Sequence, residues 1–482
     1  MTPLAPVHDP RTGGVIDQIA LLPEDAVGGT AQRAALAAAS WAAVPLAHRA
    51  ALLAATARVL AERAPSLVPA FTRETGKTPT EAQAELARTS ETLEWIAQNA
   101  QAALTPTPAL TRVPAADLGP SREAAMESAG SALALASASG AGPGREVTAE
   151  PAGPALAIVP SNFPAVVTAR KAGAALVAGC PVVVKAPETA PSMVRAFVAA
   201  AHAAGVPEDV LQVVFTTPAG ASALVRRPEF RTVSFTGATR TGRLVAAAAA
   251  ETLASCVLEL GGHAPAIITA DADLDAAVAA LVPMKFGSAG QSCAAPSRFL
   301  VAEPVAARFV ALLLAALPTL DRDPGGTLGP LHTASRRTEV HTLVDDAVAR
   351  GATLRAGGTI PPGPGWYYPA TVLTDLPPDA RILTEEPFGP LAPVQTFTTE
   401  DEAVALANTT PYALGAFLFG DPARVRLLAP RLNAGRVCLN LATGADPASP
   451  LSGRLDSGYG YEGGPEGIQA FTRLKTTLTP SP

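Results

Sequence analysis

Pro154-Ala-Leu-Ala-Ile-Val-Pro-Ser-Asn-Phe-Pro164 opens a run in which short apolar segments alternate with helical ones. Residues 155–159 read as a buried strand, and 165–178 as a helix ended by Gly179. Residues 181–184 form a fully apolar strand, and 192–204 a helix ended by Gly205. The alternation continues with a strand at 210–215, a helix at 219–225, a strand at 232–235 and a helix at 240–251. Short apolar strands separated by helices predict a parallel sheet covered on both faces. A second α/β series runs from Ala264 to about Asn440, with strands at 264–269 and 299–301 and helices at 276–286 and 305–317. The expected fold class is therefore α/β.

Upstream, Asp9-Pro-Arg-Thr-Gly-Gly14 reads as a hairpin turn. Helical apolar spacing recurs over 31–41, 48–64 and 81–99. Residues 104–150 are rich in Pro, Ala, Gly and Ser and read as a linker or small excursion. Downstream, 453–464 reads as glycine-rich loop and 471–477 as a last strand.

The chain has 482 residues, more than one hydrophobic core usually serves, so two or three domains are expected. It is 48% hydrophobic and 16% charged, with a formal net charge of −6. Both signs are spread along it, and no basic block suggests nucleic acid or acidic lipid. The longest apolar runs, 309–317 and 172–184, are shorter than the ~20 residues that cross a bilayer. The N-terminus lacks the charged-then-apolar pattern of a signal peptide. Cys180, Cys256, Cys293 and Cys438 lie far apart and point to free thiols in a reducing, cytoplasmic setting. The histidines are scattered, and no metal site is expected.

Chemistry concentrates in a few segments. Cys293 ends Phe286-Gly-Ser-Ala-Gly-Gln-Ser-Cys293. A lone cysteine is most often packing, but Gly287, Gly290 and Gln291 make a polar, flexible approach unusual for a core thiol. An unperturbed thiol is only a few per cent thiolate at neutral pH, so a nucleophilic role needs help from its surroundings. Glu259 sits in Val257-Leu-Glu-Leu-Gly-Gly262, where burial would raise its pKa and make it a base near neutrality. Asn162, pinned between Pro160 and Pro164, has a restricted side-chain direction. Phe235-Thr-Gly-Ala-Thr-Arg-Thr-Gly242 puts Gly237 and Gly242 across a strand-to-helix turn that can hold pyrophosphate.

These segments, with Asp9-Pro-x-Thr-Gly, Arg73-Glu-Thr-Gly-Lys77, Glu385-Glu-Pro-Phe-Gly-Pro390 and Ser457-Gly-Tyr-Gly-Tyr-Glu462, resemble the aldehyde dehydrogenase family over nearly the whole chain. The resemblance implies a Rossmann-type cofactor domain (1–125 and 153–260) and an α/β catalytic domain (261–464). It also implies a small β oligomerisation arm (126–152 and 465–482). It makes Cys293 the nucleophile, Glu259 the base and Asn162 an oxyanion donor. It assigns Val159, Pro160, Lys185, Glu188, Gly220, Gly237, Gly242, Glu386 and Phe388 to the cofactor. Lys185 and Glu188 would meet the adenosine ribose. A carboxylate there accepts ribose hydroxyls and repels a 2′-phosphate, which favours NAD, with NADP as the alternative.

The chain departs from the family pattern at Ala238 (often Ser), His263 (Lys), Ser288 (Asn) and Pro450-Leu-Ser-Gly453 (Pro-Phe-Gly-Gly). The implied activity is oxidation of an aldehyde to a carboxylic acid in a homodimer or homotetramer. Arg170 matches an arginine that binds the far carboxylate in succinate-semialdehyde dehydrogenases, although a second such arginine is Gly287 here. A helix salt bridge is the alternative role for Arg170. A small-acid semialdehyde is the expected substrate, with a simple aliphatic or pathway-specific aldehyde as its competitor. The other two readings are a CoA-acylating enzyme and a non-catalytic dinucleotide-binding relative.

Overall fold

The computed structural model describes residues 3–105, 144–323, 325–444 and 446–479. The chain opens with the antiparallel pair β1 (Leu4–His8) and β2 (Val15–Ala20) around the expected turn, where Gly13 N–H donates to Asp9 O over 2.7 Å. Three long helices follow, Val27–Ala42, Leu46–Thr75 and Pro79–Leu104. The second runs past Pro65 and Pro69, where sequence alone ended it near Ala64. The two prolines are four residues apart on the exposed face, where the intrahelical bonds they forgo cost least. Leu60, Val68 and Phe71 stay buried on the other side.

β3 (Gly144–Pro151) leads into the first sheet, made of β4 (Ala155–Ile158), β5 (Val182–Lys185), β6 (Leu211–Val214), β7 (Thr232–Thr236) and β8 (Ser255–Glu259). The parallel order is β8-β7-β4-β5-β6. Both faces are covered. Leu53, Leu60 and Leu93 pack on Ala157, Val182 and Val184, while Val27, Leu224 and Val245 pack on Leu156, Val183 and Val233. Each large aliphatic side chain so buried contributes roughly 1.5–3 kcal/mol, which is why these strands read as unbroken apolar runs.

The second sheet has the order β11-β12-β13-β10-β9-β14-β15. Its strands are β9 (Ala264–Ile268), β10 (Pro296–Ala302), β11 (Thr353–Ala356), β12 (Thr371–Thr374), β13 (Leu391–Phe397), β14 (Gly415–Phe419) and β15 (Arg436–Leu439). It is parallel except for the edge strand β11. The chain passes from the carboxyl end of β8 to the amino end of β9 through only Leu260–His263, so those two edges face each other.

Two terminal segments differ from the sequence expectation. Within the expected loop 453–464, β16 (Gly458–Tyr459) pairs antiparallel with Glu259 and Leu258 of β8. Part of the expected linker 104–150 is β3, paired along its length with β17 (Thr472–Thr479). Composition hid both, because a two-residue strand has no periodicity and β3 gains its partner from the far end of the chain. Residues 106–143 of that linker, which include 126–143 of the expected arm, lie outside the described residues.

Candidate active site

In the first sheet the connections run one way from β4 to β5 and β6, and the other way to β7 and β8. Crevices for ligands form outside the carboxyl ends of the strands at such a reversal. Val159 and Pro160 leave β4 at that point, and Gly237 leaves β7. The helix Thr239–Ala250 starts there with Ala238 at its N-cap, and Ala238 offers no side-chain acceptor. Its first-turn amides are open to an anion. Thr236 Oγ1, at the end of β7, is buried without a partner. This arrangement fits a dinucleotide.

The glycines contribute packing rather than donors. Gly237 N–H donates to Glu259 O over 3.0 Å and Gly242 N–H to Ala238 O over 2.9 Å. Gly220 N–H is taken by Thr217 Oγ1 at 3.2 Å. At the end of β5, Lys185 Nζ lies 2.7 Å from Glu188 Oε1.

Glu386 reaches in from the second sheet's side, and its Oε1 accepts from Gly262 N–H at 2.9 Å. Burial is the main cause that pushes its carboxyl up to about 7. The Phe388 ring lies beside it with the Arg336 guanidinium 5.4 Å from its centroid. Gly262 must be glycine. A Cβ there would stand 2.0 Å from the carbonyl oxygen of Cys293. That contact presses the Glu259 segment against the nucleophile segment.

Cys293 lies between the helix Leu274–Phe286 and β10. Burial, then the carboxylates of Glu386, Glu259 and Glu462, raise its thiol above the ordinary range. The resting sulfur is therefore a protonated thiol and needs a base. Glu259 ends β8, 1% exposed. Neither carboxylate oxygen makes a well-formed hydrogen bond, and the Gly453 amide contributes only weakly to the charged form. Burial first, and Glu462 second, hold its pKa well above the usual carboxylate range. Asn162 comes to the same place from the end of β4, where its Nδ2 donates to Gln291 O at 2.9 Å.

Sequence reasoning left Glu462 and Lys171 unassigned. Glu462 Oε2 pairs with Lys171 Nζ at 2.7 Å, and Lys171 also donates to Ser234 Oγ at 2.8 Å. Arg170 is buried, with its guanidinium 3.9 Å from Glu462 Oε1. Both basic residues face inward because the helix that follows Asn162 widens into a π-helical turn over Ala169–Gly173. Such turns gather at functional sites. Arg170 thus sits in the salt-bridge arrangement, at the Glu259 end of the site. The available signal was the adjacent pair Arg170-Lys171 in an otherwise apolar helix.

His263, at the position where the family pattern has lysine, is fully enclosed between Ser297 Oγ (2.8 Å) and Ile382 O (3.0 Å). Burial, then Arg298, keeps its imidazole neutral. No cluster able to hold a metal ion occurs among the described residues. No single described helix is long and apolar enough to cross a membrane.

The family model described as "Aldehyde dehydrogenase family" matches residues 2–477. Among similar proteins, a 4-(hydroxymethyl)benzenesulfonate dehydrogenase of Comamonas testosteroni is 36% identical, covering 97% of this chain and 93% of that protein. A succinate-semialdehyde dehydrogenase [NADP(+)] of Mycobacterium leprae is 33% identical over 97% of this chain and 98% of its own length. Among solved structures, succinate-semialdehyde dehydrogenase from Burkholderia pseudomallei superposes with a TM-score of 0.89 at 35% identity, covering 99% of this chain and 95% of that one.

Proposed function

This chain belongs to the aldehyde dehydrogenase family, an oxidoreductase family that uses NAD(P), and from that premise we propose that it oxidises an anionic aldehyde through a covalent Cys293 intermediate. The observation that carries the proposal is the meeting of three loops. The Asn162 amide bonds the Gln291 carbonyl, Gly262 packs on the Cys293 carbonyl, and Glu259 ends the strand three residues before Gly262.

The residues act as follows. Sγ of Cys293 attacks the aldehyde carbon, and its proton passes to Glu259, a carboxylate that burial makes more basic than usual. The carbonyl π pair moves to oxygen. Asn162 Nδ2 carries two hydrogens. One is engaged by Gln291 O, and the other is available to the oxyanion beside the Cys293 backbone N–H. NAD(P)+, when bound, supplies the hydride acceptor, and loss of hydride leaves a thioester on Cys293. Glu259 gives up that first proton, then takes a proton from water as the water oxygen attacks the thioester carbon; the C–S bond breaks to release the acid, and the departing Cys293 thiolate regains a proton from Glu259. Glu462 and Lys171 offer that proton a path away.

Glu386 and the first-turn amides of the helix Thr239–Ala250 would hold the cofactor, with Phe388 against the nicotinamide. Glu188 at the β5 end favours NAD. Its 2.7 Å pairing with Lys185 softens the repulsion of a 2′-phosphate, so NADP is the second reading.

The named substrates of the Comamonas testosteroni and Mycobacterium leprae relatives share an anionic group, a sulfonate in one and a carboxylate in the other. This supports a small-acid semialdehyde for this chain. Arg170, turned to Glu462, is a weak candidate for the distal anion. Retention of Glu259 favours water over CoA as acyl acceptor. The first sheet serves as the cofactor domain and the second as the catalytic domain. The exposed pair β3–β17, with Leu474 and Leu478 uncovered, serves as an arm joining copies into a dimer or tetramer. A panel of semialdehydes and uncharged aldehydes with NAD and NADP, read as cofactor reduction, tests the reading. Semialdehydes should lead, and uncharged aldehydes turning over faster would overturn the substrate class.

A further inference from the structure

The segment that delivers Cys293 is held in an unfavourable shape. Ser288 (φ 51°, ψ 37°) and Ala289 (φ 54°, ψ 33°) are consecutive side-chain-bearing residues in the left-handed region, followed by Gly290 at φ 72°. Such conformations are disfavoured for L-residues and persist only where neighbours over-determine them. The neighbours here are Lys77, in the turn between the helices Leu46–Thr75 and Pro79–Leu104, and Glu81, in the first turn of the second of these, both remote in sequence from the site.

Glu81 Oε1 accepts from Ser288 N–H at 2.6 Å, and Lys77 Nζ donates to Ser288 Oγ at 2.5 Å. The other oxygen of Glu81 accepts from Thr78 N–H (2.8 Å) and Thr78 Oγ1 (3.0 Å), which closes a capping box and fixes the carboxylate. The same stretch of chain also grips the Asn162 loop. Glu85, with no exposed surface, accepts from Ala165 N–H (3.0 Å) and Val166 N–H (3.4 Å), at the start of the helix after Asn162. Lys77 is 3.4 Å from Glu85 and 4.0 Å from the centre of the Phe163 ring. Lys77, Asn162, Ser288 and Gln291 line one small pocket. Lys77 and the first two turns of the helix Pro79–Leu104 therefore touch both loops that must meet at a reacting carbonyl.

We propose that Lys77, Glu81 and Glu85 are positioning residues that lock the nucleophile loop and the Asn162 loop into one register. The proposal rests on the reading of Cys293 as nucleophile. Loss of the Glu81 contact lets Ser288 and Ala289 relax to right-handed conformations and displaces Cys293, and misplacement of about 1 Å costs on the order of 10²-fold in rate.

Glu81→Gln is the test, because glutamine still serves a capping box but has one acceptor oxygen for the two contacts. We expect kcat to fall about 10²-fold with KM and the cofactor Kd near wild type. Adding Ala289→Gly, which removes the left-handed penalty, should recover at least about tenfold of that loss. Cofactor binding by the folded variant separates this result from misfolding. If Glu81→Gln folds poorly, Ser288→Ala combined with Ala289→Gly repeats the comparison. Wild-type kcat in Glu81→Gln, or no recovery by the glycine, overturns the clamp. Full activity in Cys293→Ala would instead overturn the nucleophile reading on which it rests.

Discussion

Asn162 Nδ2 stands 2.9 Å from the carbonyl oxygen of Gln291, joining the end of a strand in one sheet to the loop that feeds the other. The bond orients the amide beside the sulfur-bearing residue before any substrate arrives. Removing it with Asn162→Ala should lower kcat by about 10²–10³-fold, the usual cost of one oxyanion donor, while KM moves only a few-fold. Steady-state kinetics checks this.

Glu259 carries a prediction with two readouts. Glu259→Gln should give one burst of reduced cofactor, slowed because the thiol must then lose its proton to water, and should then stall because hydrolysis lacks its base as well. The stability sign is also fixed. A buried acid whose folded pKa is raised stays protonated where the unfolded chain ionises. It costs nothing below the ordinary carboxyl pKa, and its cost grows as pH rises through and above that value. Glu259→Gln should therefore raise Tm by about 1–3 °C at pH 8 and leave it unchanged at pH 4, as read by thermal melts.

On top of burial, the opposed charges of Glu462 and Lys171, paired at 2.7 Å, modulate the basicity of Glu259. Glu462→Gln removes a repelling carboxylate and frees Lys171, so the ionised form of Glu259 gains. The acid limb of the kcat–pH profile should move to lower pH by about one unit. Lys171→Met removes an attracting cation and should move that limb to higher pH. Shifts in one common direction would show that neither residue acts through Glu259.

Much of this was legible in the chain. The strands 155–159 and 181–184 declared themselves because burial on both faces demands unbroken apolar side chains. Cys293 and Glu259 stood out because polar groups sat where packing alone would not put them. What sequence could not supply was partnership across long separations. Lys171 meets Glu462, Glu81 meets Ser288, and β3 meets β17, each joining segments far apart along the chain. Local pattern also misjudged the helix Leu46–Thr75, where two prolines shared the wet face. Arg170 showed its charge to the reader of the sequence but not its neighbour Glu462.

The Lys185–Glu188 pair at the β5 end predicts the choice of cofactor. Glu188→Gln removes the carboxylate that competes with a 2′-phosphate and frees Lys185 to meet one. The ratio of kcat/KM for NADP over NAD should rise about tenfold. An unchanged ratio would place the adenosine ribose elsewhere.

A covalent bond between Cys293 and the substrate carbon is the step that every other residue of the site serves. Glu259→Gln, mixed with NAD and an aldehyde and quenched in acid, should carry an acyl group on the Cys293 peptide by mass spectrometry, and Cys293→Ala in the same background should carry none. An acyl group on another residue, or undiminished cofactor reduction without Cys293, would show that Cys293 is not the nucleophile.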